Sequence, residues 1–155
     1  MRIRLLAVGR RPPRWAEDAC AEYLKRLPGA LGVETRLIPP SRGHGGDVAR
    51  ARDDEGRRLL AACGPRDRIV TLDEHGEQWS TLELARRLNE WELDGRDVAL
   101  LVGGADGLAD ACLQRAEVSW SLSPLTLPHA LVRVVVVEQL YRAWSVNAGH
   151  PYHRA

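Results

Sequence analysis

The sequence lacks the features that mark secreted, membrane-spanning and metal-binding proteins. Its 155 residues include three cysteines, Cys20, Cys63 and Cys112, an odd number without CxxC spacing, which argues against a disulfide framework and a zinc site. No apolar run approaches the roughly 20 residues that cross a bilayer, and the N-terminal apolar segment ends at Gly9, too early for a signal peptide. We therefore expect a cytoplasmic protein with buried helical thiols, no membrane contact and no bound metal.

Two nucleotide-binding signatures are absent as well. No GK[ST] string occurs, which excludes a P-loop, and the run from Gly103 to Gly107 is not a GxGxxG with a helix directly behind it. Hydrophobic residues make up 45% and charged residues 28%, proportions that are typical of a soluble globular protein. The length is that of one α/β domain, and we assign residues 1–155 to a single domain because no repeat or linker divides them.

Lysine is nearly absent, since Lys25 is the only lysine among 22 basic residues. The formal net charge is +1, but it is unevenly spread. Residues 1–58 hold thirteen Lys and Arg against eight Asp and Glu, a balance of +5, whereas residues 59–155 hold nine against thirteen, a balance of −4. Basic side chains thus gather in the N-terminal third, as contact with phosphates would require. Arginine suits bidentate contacts with phosphate, but the codon usage of a GC-rich genome is at least as good an explanation for the preference of arginine over lysine.

Apolar segments with strand and helix periodicity alternate along the chain. We predict strands at residues 2–8, 33–38, 68–72, 98–102 and 118–122. We predict helices at residues 14–27, 48–63, 81–93, 109–116 and 130–146. Asp47 is a candidate N-cap, and Ser80 with Glu83 forms a capping-box pattern. The alternation predicts an α/β fold with a mostly parallel sheet flanked by helices.

Three predicted strand exits have unusual composition. Leu72-Asp73 leaves the third strand, Gly103 to Gly107 leaves the fourth, and the proline-bounded segment from Leu122 to His129 leaves the fifth. In open parallel sheets, ligands bind beyond the carboxyl ends of the strands. Glycines allow a ligand to approach the backbone, and the leucines of the third segment could enclose a flat ring. Ordinary tight or proline-rich turns remain the alternative for each exit taken alone.

Four segments together resemble the ribosomal RNA large subunit methyltransferase H family. They are Leu101-Val102-Gly103-Gly104-Ala105-Asp106-Gly107-Leu108, Ser119-Trp120-Ser121-Leu122-Ser123-Pro124-Leu125-Thr126-Leu127-Pro128-His129, Leu140-Tyr141-Arg142-Ala143-Trp144-Ser145 and His150-Pro151-Tyr152-His153-Arg154. The resemblance covers the whole chain. It departs at Ala105-Asp106, where the family commonly has Pro-Glu, and at residues 147–149, which are not Thr-rich.

The resemblance implies a fold, a cofactor and partners that periodicity could not indicate. The implied fold is the SPOUT type with a C-terminal trefoil knot at about residues 98–155, and we expect a homodimer. The implied activity is methylation of N3 of a pseudouridine in 23S ribosomal RNA within the 50S subunit or the 70S ribosome. The implied cofactor is S-adenosyl-L-methionine. The implied cofactor contacts are Leu72, Gly103, Leu122, Ser123, Pro124, Leu125, Thr126 and Leu127.

His129 is the candidate that is best placed to act on the target base. The N3 proton of the base must leave, so a proton acceptor near the cofactor would help. His129 follows the third strand exit at the start of the last predicted helix, where the partial positive charge of the helix N-terminus disfavours an imidazolium. A structural histidine at a helix N-terminus is the equally weighted alternative.

Arg142 and the tail residues Tyr152, His153 and Arg154 are the further catalytic candidates. Arg142 lies four residues after Glu138, which permits a simple ion pair, but the resemblance favours contact with phosphate or with a uracil carbonyl. The tail offers an aromatic ring, an imidazole and a guanidinium in a row, as RNA binding would need. We expect it to close over the pocket with help from the partner subunit; a frayed terminus is the alternative.

Two further segments and two other functions stay open. Trp15 lies beside Arg10, Arg11 and Arg14 and could face RNA, although we favour a place in the core. The loop from Arg42 to Gly46 either contacts RNA or is simply solvated. A non-catalytic ribosome-binding or assembly factor with a SPOUT fold is one alternative function, and a SPOUT methyltransferase for tRNA is another.

Overall fold

A parallel five-stranded sheet forms the centre of the chain. The structure, a computed structural model, describes residues 1–42 and 45–154. The strands are β1 (Arg2–Val8), β2 (Gly32–Ile38), β3 (Arg68–Gln78), β4 (Val98–Val102) and β5 (Val118–Ser121). The helices are α1 (Arg14–Arg26), α2 (Val48–Ala61), α3 (Thr81–Asp94), α4 (Asp110–Arg115) and α5 (His129–Asn147). The strand order is β2-β1-β4-β3-β5, and every pairing is parallel.

The two faces of the sheet bury different helices. Along β1, Leu5 and Ala7 point into a cluster that holds side chains of α1, α3 and α5. The alternate residues Leu6 and Val8 point into a second cluster with side chains of α2 and α4. This alternation of neighbouring residues between opposite faces is the pattern that a doubly covered strand requires. The predicted α/β sheet flanked by helices is confirmed.

Two predicted helix starts are present as side-chain caps. Asp47 Oδ1 accepts a hydrogen bond from the Arg50 amide at 3.1 Å. Ser80 Oγ accepts one from the Glu83 amide, also at 3.1 Å. Each cap satisfies an amide that has no partner within the helix, and its loss would cost about 1 kcal/mol. The caps therefore fix where α2 and α3 begin.

The third strand is longer than the sequence indicates. We predicted that it ends at Leu72, but β3 continues to Gln78. Its register on β5 shifts between Leu72 and Glu77, which both lie opposite Trp120. Gly76 makes this possible, because a Cβ added there would lie 2.5 Å from the Ser119 carbonyl oxygen. The polar and glycine-containing sequence is typical of a loop, but close backbone pairing with β5 keeps it in the sheet.

The cysteines and tryptophans follow the predictions only in part. Cys20 and Cys112 are buried in helices, whereas Cys63 lies just after α2 and is half-buried. Trp120 is buried. Trp15 is 56% exposed, so its predicted place in the core is wrong: it is the second residue of α1, and its side chain is open to solvent.

Within residues 1–42 and 45–154, no helix is both long enough and apolar enough to cross a membrane.

Candidate functional site

The three unusual strand exits converge on one cavity of about 600 Å³. Residues that follow β4 and β5 line it, and the third part of its wall, residues 72–75, lies within β3 at the register shift rather than after the strand. The expected cofactor contacts that line it are Leu72, Gly103, Leu122, Ser123, Leu125, Thr126 and Leu127. Pro124 is exposed and lies in the same loop without lining the cavity. The volume of the cavity is in the range of small-molecule sites.

Gly103, Gly104 and Gly107 contribute only backbone to the wall that follows β4. A Cβ added at Gly103 would lie 2.6 Å from the carbonyl carbon of Gly107, so no side chain fits there. The loop closes with a hydrogen bond from the Gly107 amide to the Gly104 carbonyl at 3.1 Å, and Gly107 has a φ of +81°, which favours glycine. A ligand in the cavity can therefore approach the main chain directly.

The loop between β5 and α5 is tied to the segment that extends β3. Ser121 Oγ donates to the Glu74 carbonyl at 3.1 Å, and Thr126 Oγ1 donates to the Glu74 carboxylate at 2.9 Å. Ser123 Oγ accepts a hydrogen bond from the Leu125 amide at 3.0 Å. Leu125 is nevertheless 69% exposed. The loop is thus held in shape while it presents an apolar side chain at the mouth of the cavity.

Charged side chains around the cavity are mostly acidic. Asp73, Glu74 and Asp106 line it, with Arg52 of α2 as the opposite charge. A ligand with positive charge would find a favourable field there. Arg52 Nε is buried and has no hydrogen-bond partner. We did not predict Arg52, because it is about twenty residues from the nearest strand exit in sequence and only the packing of α2 brings it in.

Among the residues that the structure describes, no group of three or more His, Cys, Asp and Glu side chains is arranged to hold a metal ion.

His129 lies where the sequence places it, at the start of α5 and in the wall of the cavity. It is half-buried, and its Nδ1 is buried without a hydrogen-bond partner. A histidine with a purely capping role would be expected to use its ring nitrogens in local hydrogen bonds. The imidazole is therefore positioned to interact with a molecule in the cavity.

Arg142 lies in the second half of α5, and the tail residues Tyr152, His153 and Arg154 follow the helix. Arg142 Nη2 is 2.6 Å from Glu138 Oε1, so the ion pair permitted by their spacing is present. Tyr152 donates from its hydroxyl to the same oxygen at 3.0 Å, and its ring centroid is 4.5 Å from that of Tyr141. Burial first, and then the bond to Glu138, raise the pKa of Tyr152.

The cavity and the tail are not brought together within one chain. Glu138 is nine residues after His129, which places it about 14 Å along the helix axis. Both ring nitrogens of His153 are buried without a hydrogen-bond partner, and Arg154 is exposed. None of the tail residues lines the cavity. Of the loop from Arg42 to Gly46, residues 43 and 44 lie outside the described residues.

The fold and cavity define an α/β domain whose strand-exit loops line one cavity of small-molecule size. A family model described as "Predicted SPOUT methyltransferase" matches residues 1–153. The chain belongs to the SPOUT methyltransferase family. The expected family and fold class are thereby confirmed.

Curated relatives match over their full length. The chain is 58% identical over 156 residues to the "Ribosomal RNA large subunit methyltransferase H" of Alkalilimnicola ehrlichii, with 100% of each chain covered. It is 55% identical over 155 residues to the protein of the same name from Pseudomonas paraeruginosa, covering 99% of this chain and 100% of the relative.

A solved structure supports the fold alone. The probable methylase family protein from Haemophilus influenzae Rd KW20 superposes with a TM-score of 0.57 at 12% identity, over 99% of this chain and 70% of that one.

Proposed function

We propose that the protein transfers a methyl group from S-adenosyl-L-methionine to N3 of a pseudouridine in 23S ribosomal RNA, on the assembled 50S subunit or 70S ribosome. The observation that carries this is the convergence of three strand exits on one cavity with glycine and leucine walls. The full-length relatives named for ribosomal RNA methylation support the choice of substrate.

The residues present fit such a methyl donor. The leucines Leu122, Leu125 and Leu127 can enclose a flat base. Gly103 has no side chain and lines the cavity, so the donor can contact the main chain there. The surrounding carboxylates favour the positive charge of a sulfonium and an ammonium. When bound, the donor supplies an electrophilic methyl group. The proposed donor contacts are Leu72, Gly103, Leu122, Ser123, Pro124, Leu125, Thr126 and Leu127.

The protein's own contribution is alignment and proton removal. Methylation at N3 would form an N–C bond while the S–C bond of the donor breaks and a neutral thioether leaves. The N–H bond at N3 must break as well, so a proton must leave. We assign that proton to a ring nitrogen of His129, whose side chain lies in the cavity wall. Holding the base and the methyl group in line supplies most of the remaining acceleration, because effective molarity grows steeply with correct orientation.

The tail acts, in this proposal, on the cavity of a partner subunit. Arg142 lies in the second half of α5, Tyr152, His153 and Arg154 follow the helix, and none of them lines the cavity of its own chain. The helix also has half-exposed apolar side chains, among them Val134, Val135 and Trp144, and exposed apolar surface favours burial against a second subunit. These features support a homodimer.

The knot is proposed for about residues 98–155. It is supported by the position of β5, which pairs with β3 rather than with the preceding β4. The chain therefore crosses beyond β3 after leaving β4, and its two loops meet at one cavity.

Mass spectrometry of ribosomal RNA nucleosides tests the activity. Unmethylated 70S ribosomes incubated with the protein and labelled donor should yield labelled 3-methylpseudouridine. Label on another base would overturn the substrate assignment, and label on tRNA alone would favour the tRNA enzyme. Calorimetry with the donor separates the enzyme from an assembly factor, because a factor without a functioning cavity would release no heat of binding.

A further inference from the structure

A second cavity, also of about 600 Å³, opens at the carboxyl ends of β1 and β2. Of the eight described residues that line it, four are arginines, namely Arg10, Arg11, Arg42 and Arg58, and none is a carboxylate. We call it the arginine cleft. Its other described lining residues are Gly9, Leu37 and the pair Pro39-Pro40. Arginines concentrated in a concave site attract anions, and their planar guanidinium groups suit phosphate oxygens.

Two of the arginines are fixed by the protein and two are available. Arg58 donates to the Pro39 carbonyl at 2.9 Å and pairs with Asp54 at 2.6 Å. Arg11 pairs with Glu17 at 3.0 Å. Arg10 and Arg42 are exposed, and neither makes an ion pair with any residue in the described ranges 1–42 and 45–154. Arg11 and Arg58 are thus neutralised by carboxylates of the protein, whereas Arg10 and Arg42 leave two positive charges uncompensated in the cleft.

The arginine cleft and the cofactor cavity are neighbours on one edge of the sheet. β1 pairs directly with β4, with Ala7 opposite Val102, so their exits are about one strand spacing, or roughly 4.8 Å, apart. A Cβ added at Gly104 would lie 3.1 Å from Val8 Cγ1 and 3.4 Å from Glu55 Oε1. Glu55 Oε2 in turn accepts a hydrogen bond from the Ser41 amide at 3.0 Å. The loop after β2 and the glycine loop therefore share one wall.

The two openings have opposite electrostatic character. The cofactor cavity holds the carboxylates Asp73, Glu74 and Asp106, which repel phosphates but suit a cationic donor. The arginine cleft has the reverse preference. A polyanionic chain whose base enters the first opening would therefore place its backbone over the second. Trp15, 56% exposed and four residues after Arg11, adds an aromatic face on which an unpaired base can stack.

We propose that the arginine cleft binds backbone phosphates of the RNA strand whose target base enters the cofactor cavity, with Arg10 and Arg42 making the direct contacts. The inference rests on the proposed function, because that function identifies the bound polyanion as the substrate RNA. It goes beyond that function by assigning substrate affinity and methyl transfer to separate openings. The cleft should consequently govern the KM for RNA, and the cavity should govern donor binding.

Charge reversal at the two available arginines tests the assignment. The variant R10E/R42E is compared with R66E/R115E, which makes the same charge change on exposed residues beside the opposite, amino-terminal edge of the sheet. We expect the KM for ribosomes to rise on the order of tenfold to a hundredfold in the first variant, with kcat and donor affinity nearly unchanged. The dependence of log KM on log salt should weaken by about 1.4, because each phosphate contact on a single strand contributes about 0.7.

The outcomes separate the cleft from the proposed function. If R10E/R42E changes KM no more than R66E/R115E does, the cleft assignment is wrong although wild-type methylation stands. If the wild type methylates no ribosomal RNA, the proposed function fails, and filter binding to a single-stranded RNA then decides on the cleft: equal affinity of wild type and variant overturns it, and a loss of about tenfold or more supports it. Should R10E/R42E fail to bind donor, the milder R10Q/R42Q replaces it.

Discussion

The two ends of α5 hold their functional candidates in different ways. His129 lies at the N-terminal end of the helix, and Tyr152 packs against its C-terminal half. Around His129 the site is shaped by backbone and apolar side chains, and the Nδ1 atom of the imidazole has no hydrogen-bond partner. Around Tyr152 the side chains are already paired, since Glu138 accepts from both Tyr152 and Arg142. One end is thus an open site, and the other is a closed polar network.

This difference predicts which substitutions each end tolerates. A wall made of close-packed backbone is sensitive to added atoms, because nothing there can move aside. A network of charged hydrogen bonds is sensitive to the removal of a partner, because the remaining buried groups lose their compensation. Variants at the two ends should therefore separate donor binding from RNA methylation.

Replacement of His129 should give the largest effect. In His129→Ala we expect kcat to fall by about 10²–10⁴, the usual contribution of a general base, with the donor Kd nearly unchanged. His129→Gln, which can donate and accept hydrogen bonds but cannot take up the proton, should be equally slow. Rate measurements across pH check this. Full turnover with unchanged pH dependence in His129→Ala would exclude the histidine from the chemistry, and rescue by Gln would reduce it to a positioning residue.

An added methyl group at Gly103 should have the next largest effect. The new Cβ in Gly103→Ala would lie 2.6 Å from the Gly107 backbone, and overpacking of this kind costs about 1–3 kcal/mol. We expect calorimetry to show donor affinity reduced on the order of tenfold to a hundredfold. Gly29→Ala is the matched control, since nothing lies within 4 Å of its added Cβ. Equal affinities in the two variants would mean that the glycine loop does not touch the donor.

The sequence was informative wherever local rules decide the structure. Hydrophobic periodicity placed the strands and helices, Asp47 and Ser80 marked two helix starts, and the three strand exits were identified by glycine, proline and leucine content. These features depend on neighbours within a few residues. For the same reason the sequence located most of the cavity wall, since parallel strands bring their exits to one edge.

Features that depend on tertiary packing could not be predicted. Arg52 reaches the cavity because α2 packs against α4, with Gly56 so close that an added Cβ would lie 2.5 Å from Ala109 Cβ. The extension of β3 to Gln78 depends on the same kind of close approach at Gly76. The tail is separated from the cavity because α5 is long and the tail packs against its C-terminal half. The motif resemblance grouped the tail residues with the cavity residues without indicating the distance between them.

Mixing two inactive chains tests whether the ends of α5 meet between subunits. One chain carries His129→Ala, and the other lacks residues 150–155. If each tail serves the partner's cavity, a randomly mixed population should recover roughly a quarter of wild-type methylation, because half of the dimers contain one complete site of two. No recovery would place the tail in its own subunit's site. Full activity of the truncated chain alone would show that the tail is dispensable.

The smallest effect concerns the packing of α4 against α2 rather than the reaction. Burial raises the pKa of the Cys112 thiol to about 11 from an ordinary value of 9.0, and its Sγ lies 3.6 Å from the Gly56 carbonyl oxygen. As the pH rises from about 9 to about 11, the unfolded chain ionises this thiol while the folded chain keeps it neutral, so stability is lost.

Urea unfolding should therefore show the wild type losing on the order of 2 kcal/mol more than Cys112→Ala across that pH range. Below about pH 8 the difference between the two proteins should be constant, since the thiol is neutral in both states. Tyr152 also has a raised pKa, but its ordinary value is about 10, so the tail contributes later in the titration and equally in both proteins. A constant difference up to pH 11 would mean that the packing between α2 and α4 admits the thiolate.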